Sequence, residues 1–173
     1  MGVTGYAALL RAVNVGGTGR LAMADLRALC EELGFGSVAT YIQSGNVVFS
    51  SKLAEAAVVR ALQAPLAKLV GKPVGVVVRT GKELEAVLKA NPFSKADPKR
   101  VLVLFLAKAP SKSVLDGVLT PGGEELALVK REVFIHYPQG MGVSKLKLAL
   151  QKEGTARNLN TIAKLAEMIA AFG

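Results

Sequence analysis

The chain has 173 residues, 51 % of them hydrophobic, with a mean hydropathy of +0.38; that is enough apolar material for a full core and argues against disorder. Its longest unbroken apolar run, Val101 to Ala107, is far short of the roughly 18 residues a membrane span needs, so no membrane association is expected. The net charge of +9 makes anions attractive partners: nucleic acid, nucleotides or phosphorylated metabolites.

No charged n-region precedes a long apolar core, so no secretory signal is expected. The lone cysteine, Cys30, has no internal disulfide partner and stands at helical spacing with Leu26, Leu29 and Leu33, as a small core residue would. A cytoplasmic location is the expectation. The charge is uneven: residues 1–35 are neutral overall, 36–80 carry +4, 81–135 carry +2 and 136–173 carry +3. A generally solvated basic surface accounts for this as well as a binding face does.

In chain order, Tyr6 to Val13 is apolar apart from Arg11 and reads as a strand. A helix from about Ala22 to Leu33 follows, with Gly34 placed to stop it. Val38 to Gln43 and Asn46 to Ser50 form a hairpin about Ser44-Gly45. A second helix, Leu53 to Val70, contains Pro65, which should kink or interrupt it. Val74 to Arg79 is a fourth strand, completing β-α-β-β-α-β, the split βαβ order of ferredoxin-like folds.

Thr80 and Glu83 form a capping box for a short helix ending near Ala90, and Asn91-Pro92 breaks it. The polar stretch 91–100 is the expected connection between an N-terminal subdomain (1–90) and a C-terminal one (101–173). Val101 to Leu106 reads as a strand buried on both faces. A helix capped by Ser111 reaches Leu119, Pro121-Gly122-Gly123 turns, and Glu125–Val129 with Val133–Tyr137 make a hairpin about Lys130-Arg131. Helices over Ser144–Lys152 and, capped by Asn158, Leu159–Ala171 close the chain. The fold class is therefore α+β: two ferredoxin-like subdomains, the second βαββα and ending in a helix pair. No repeat is visible residue by residue.

Three segments carry polar groups at strand ends. Asn14-Val-Gly-Gly-Thr-Gly-Arg20 resembles a phosphate-cradling turn, with Arg11 and Arg20 beside it and Gly16 and Gly17 free to let backbone approach an anion. It lacks the Gly-Lys-Ser/Thr of a P-loop, and Ala22 stands at the third glycine position of a dinucleotide fingerprint. The same glycines serve an ordinary strand–helix turn. The hairpin Tyr41-Ile-Gln-Ser-Gly-Asn46 lies on a neighbouring strand in a split βαβ sheet, which brings Gln43, Ser44 and Asn46 towards Arg11 and Asn14; these are also plain turn residues. RNA-recognition folds share this topology, but the basic-glycine-aromatic signature is absent and Phe49 is the one aromatic of that strand. In Tyr137-Pro-Gln-Gly-Met-Gly-Val-Ser-Lys145, which leads into Lys147, Ser144 and Lys147 have a nucleophile–base spacing, but that spacing is common by chance and Ser144 is already explained as a helix cap. Arg157, Asn158 and Asn160 add a guanidinium and two amides at a helix start.

No cluster has zinc-ligand spacing, no carboxylate pair stands in the glycine segments, and His136 lies in an apolar strand, packed or at an edge. No catalytic residue, metal or cofactor is therefore assigned.

At these segments the chain resembles a bacterial family known as domain of unknown function 1697. The likeness runs through Leu9-Leu-Arg-Ala-Val-Asn-Val-Gly-Gly17, Thr40 to Phe49, Asn91-Pro-Phe93, Tyr137 to Leu146 and Arg157 to Leu165. Ala12 stands where the family pattern has glycine and Leu159 where it has tryptophan. The resemblance implies an α+β fold with ferredoxin-like parts, and no particular activity or cofactor.

The functional expectation is an anion-binding protein, nucleic acid or nucleotide being the partner. Arg11, Arg20, Lys145 and Arg157 would meet phosphates, with Asn14, Gln43, Asn46 and Asn158 giving directional hydrogen bonds. The alternatives are an enzyme acting on a phosphorylated or carboxylated small molecule, with Tyr41 or Lys145 moving protons, and an interaction protein forming a homodimer.

Overall fold

A computed structural model describes residues 2–11, 13–14, 20–42 and 45–172. The chain divides into two compact units, one of residues 1–84 with 164–173 and one of residues 85–163.

The first unit begins with β1 (Thr4–Arg11), α1 (Met23–Glu32), β2 (Gly36–Tyr41), β3 (Asn46–Ser51), α2 (Glu55–Val70) and β4 (Gly75–Thr80). Its antiparallel sheet has the order β2-β3-β1-β4, so β1 is central, with Leu9 opposite Asn46 on one side and Val77 on the other. Alternate residues Tyr6, Ala8 and Leu10 of β1 join Val47, Phe49, Val76 and Val78 in a core closed by Leu26 and Cys30 of α1 and Val58, Leu62 and Leu66 of α2. Phe49 stacks on Phe35 with ring centroids 4.4 Å apart, and the Tyr6 hydroxyl donates to the Leu53 carbonyl at 2.7 Å. Phe49 is thus a core residue, which removes the one aromatic of β3 from any surface stacking role.

Local signals are realised where they are strong. Gly34, at φ +86°, ends α1 with the paired bonds Phe35 N–H to Cys30 C=O and Gly34 N–H to Glu31 C=O. α2 runs through Pro65 without a break. The Thr80–Glu83 capping box is formed in both directions, at 2.9 and 3.1 Å, and starts α3 (Gly81–Ala90).

The second unit contains β5 (Val101–Phe105), β6 (Glu125–Val129), β7 (Glu132–His136) and β8 (Thr155–Asn158) in the order β6-β7-β5-β8, the same arrangement with β5 central. α4 (Leu159–Ala170) follows, its start capped by the Asn158 side chain, which accepts from Thr161 N–H at 2.8 Å. The α+β class and the paired split sheets agree with the sequence reading, but the connections differ. Residues 111–118 are a run of turns, and residues 144–150 are largely extended, with 3₁₀ turns over Met141–Val143 and Ala149–Lys152. Of the expected helix pair, α4 alone is an α-helix. The reason is period: in Ser144-Lys-Leu-Lys-Leu-Ala-Leu150 every second residue is leucine, a two-residue repeat that a helix cannot point to one side. Leu148 and Leu150 are buried with Leu104, Val133 and Ile135.

β8 supplies the fourth strand missing from the sequence reading, and with it a repeat appears. β4 and β8 each carry one buried arginine, Arg79 opposite Ala7 and Arg157 opposite Val103, at equivalent places in the two sheets. Each donates to the carbonyl of its preceding residue, Val78 at 3.0 Å and Ala156 at 2.8 Å.

Two predictions follow from the core of the first unit. Gly45 has φ +85°, and a Cβ there would lie 2.6 Å from Val13 Cγ2 and 3.0 Å from Leu10 Cβ. Gly45→Ala therefore costs about 2–4 kcal/mol in urea unfolding, from left-handed backbone strain plus overpacking; a midpoint equal to the wild type contradicts this placement. Burial, with Glu31 adding to it, pushes the Cys30 thiol up to about 12. The folded protein should resist iodoacetamide at mildly alkaline pH and react once unfolded, whereas fast labelling of the native state would show the thiol to be accessible.

Candidate functional site

In the first unit the end of β1 and the β2–β3 turn lie side by side: the Gly45 carbonyl accepts from Leu10 N–H at 2.9 Å, one residue from Arg11. The polar side chains gathered there hold the turns. Asn14, at φ +57°, donates from Nδ2 to the Leu21 carbonyl at 2.9 Å and accepts from Leu21 N–H at 2.8 Å, so one amide clasps both ends of the connection to α1. Asn46 is fully buried and donates to the Tyr41 carbonyl at 3.1 Å, closing the hairpin. Arg11 is half-buried, its stem against Gly75, and Tyr41 is half-buried; Arg20 is exposed. Gly16, Gly17, Gln43 and Ser44 lie outside the described residues.

In the second unit, Ser144, Lys145, Arg157, Asn158 and Asn160 separate into different roles. The Ser144 hydroxyl donates to Glu124 Oε2 at 2.7 Å and accepts from Leu146 N–H, while Glu124 Oε1 accepts from Gly122 N–H at 2.9 Å. One buried carboxylate thus ties the glycine segment to the Pro121–Gly123 turn, a structural use of Ser144. The Ser144 hydroxyl bond, opposed by burial and helped by backbone N–H groups, holds the Glu124 carboxyl below its usual range. Tyr137 lies buried nearby; burial first and the Glu124 charge second raise its hydroxyl, against a hydrogen bond with Gln151. The Arg157 guanidinium is buried and donates to Thr155 Oγ1 at 2.6 Å; burial pulls it down to about 10, still charged at neutral pH. It belongs to the sheet rather than to a phosphate-facing surface. Asn158 is the cap of α4, and Asn160 and Lys145 are exposed.

Sequence reasoning passed over a further site. A cleft of about 410 Å³ opens in the second unit between the Pro92–Ala96 loop and the β6–β7 hairpin. Glu125 and His136 face each other as cross-strand partners, with Glu125 Oε1 2.9 Å from His136 Nδ1. Phe93 lies against the imidazole with ring centroids 5.6 Å apart and tilted by 32°, and Ser94 and Lys95 complete the polar lining. The signal was available: counting outward from the Lys130-Arg131 turn through the two strands reaches the Glu125–His136 pair. Among the described residues no group of three or more His, Cys, Asp or Glu could hold a metal ion. No helix there is long and apolar enough to cross a membrane.

Because Glu124 has a depressed carboxyl, its contribution to stability is present above the usual carboxylate range and is lost as pH falls through its folded value. Glu124→Gln should therefore be less stable than wild type at neutral pH, and the gap should close in acid, as read from urea midpoints. A gap that stays constant with pH would show that the charge is not what holds the turn.

The whole chain can be compared with known proteins. No curated protein sequence matches it. A solved structure of the conserved bacterial protein SP0830 from Streptococcus pneumoniae is similar, with 26% sequence identity, a TM-score of 0.80, and coverage of 97% of this chain and 99% of that one. A family model matches residues 3–134, most of β1 through β7, and by that match the chain belongs to the family described as "Protein of unknown function (DUF1697)".

Proposed function

We propose that the protein binds nucleic acid through the basic surface of its second unit. The observation that carries this reading is the leucine-lysine segment Ser144–Leu150. Its leucines anchor it to the core, and its lysines, Lys145 and Lys147, are exposed. No acidic residue occurs from Val133 to Lys152, so this stretch of chain is itself wholly basic in its charged side chains. Arg100 supports the same end of the unit, its guanidinium donating to the Pro138 carbonyl at the base of the glycine segment. Both units share the excess, with ten basic and six acidic residues in the first and twelve and seven in the second.

Such a surface contacts phosphates and selects little by itself, so affinity should fall steeply with salt through counterion release. Short DNA and RNA strands, followed by fluorescence anisotropy at low and rising salt, test this. Lys145→Glu with Lys147→Glu should weaken binding at least about tenfold and flatten the salt slope by about two. Undetectable binding of both nucleic acids at low salt, or a double variant that binds like wild type, overturns the reading.

A further inference from the structure

The Phe93–His136 cleft has features that phosphate contact does not use. We propose that it is a base-binding subsite, taking one unstacked nucleobase of a single-stranded nucleic acid, and guanine in preference to uracil; this rests on the nucleic-acid reading above.

Size and walls come first. About 410 Å³ lies within the roughly 300–1,000 Å³ typical of small-molecule clefts. Phe93 is half-buried, and its ring and the imidazole, packed against each other, both line the cleft. Bases splayed out of a single strand stack on such rings, because every base has a π-face.

The polar groups then choose the edge. An ionised carboxylate only accepts, so the proton of the 2.9 Å contact sits on His136 Nδ1. In the tautomer that this bond selects, Nε2 is the acceptor of the ring. Among the described residues Nε2 has no hydrogen-bond partner, and it is not sealed from solvent, since no buried side-chain nitrogen or oxygen lacks a partner. Glu125 Oε2 is a second acceptor on a carboxylate that is 60% exposed. The cleft therefore offers two acceptors, and a complementary base needs two donors. Guanine presents a ring N–H beside an exocyclic amine; uracil presents a single ring N–H between two carbonyls, which would face these acceptors unfavourably. Lys95 lines the same cleft and is exposed, a cation for a phosphate flanking a seated base.

The experiment compares a short all-uridine RNA with versions carrying one central guanosine or one central abasic site, against wild type, Phe93→Ala, Phe93→Leu and Glu125→Gln. Phe93 and Glu125 lie outside the buried core, and circular dichroism confirms that the variants fold. Neutral guanosine is titrated in parallel, following the His136 imidazole by NMR, an unambiguous signal because the chain has one histidine. The expected result is about tenfold or tighter binding of the guanosine strand than of the abasic one, lost in Phe93→Ala. Glu125→Gln should keep affinity for the uridine strand but lose the guanine preference, and guanosine should shift the His136 resonance. If the strands bind with salt dependence but all bind alike, and Phe93→Ala changes nothing, the subsite is wrong while the phosphate-binding surface stands. If no strand binds but guanosine still shifts His136, the subsite stands as a nucleobase site and the nucleic-acid reading falls. If neither binds, both are wrong.

Discussion

Each sheet depends on a strand bonded along both edges. β1 pairs with β3 and β4, and β5 with β7 and β8, so both must be free of breaks in their ladders, and both are largely buried on both faces. Tyr6 to Leu10 meets this with five consecutive buried residues, and polarity returns at Arg11, where the strand leaves the sheet. The consequences spread outward from there. The β2–β3 turn must pass close to the end of β1, which demands glycine at position 45, and the buried amide of Asn46 must find a carbonyl, which Tyr41 supplies. What reads along the sequence as a concentration of binding groups is in good part the hardware of a central strand's exit.

The two sheets repeat this plan with different coverings. The first is closed by two helices, whose wide apolar stripes match one sheet face. The second is closed on its Leu104 face by turns and an extended leucine ladder. The shared plan shows in its least comfortable residues. A buried guanidinium costs free energy unless its donors are satisfied, and yet Arg79 and Arg157 occupy the same position of the same strand in each sheet. Apolar core positions can be filled by several aliphatic side chains, so a matching plan is hard to see in them; a buried arginine with its own acceptors is easier to recognise.

How far the sequence could be read follows the range of the forces. The Thr80–Glu83 box, the Gly34 stop and the α1 stripe are interactions within one or two turns, and the structure realises all three. Ser144 misled because a serine before a lysine-rich segment is a good cap, and that local cue outweighed the two-residue leucine period beside it. Thr155–Asn158 was hidden as a strand because Arg157 looks like a surface residue until the sheet that buries it exists. The Phe93–His136 cleft joins residues more than 40 positions apart, and although the hairpin register could be counted, nothing local brings the Asn91-Pro92-Phe93 loop to it.

The Asn14 clasp has a consequence for how such a chain can change. By bonding both the N–H and the C=O of Leu21, the amide acts as a rivet between the end of β1 and the approach to α1, and it does so without reference to the residues in between. Loop-closure entropy rises slowly, by about 0.6 kcal/mol for each doubling of length. With Asn14 and Leu21 bonded to each other, the end of β1 and the approach to α1 are held together whatever length of chain joins them.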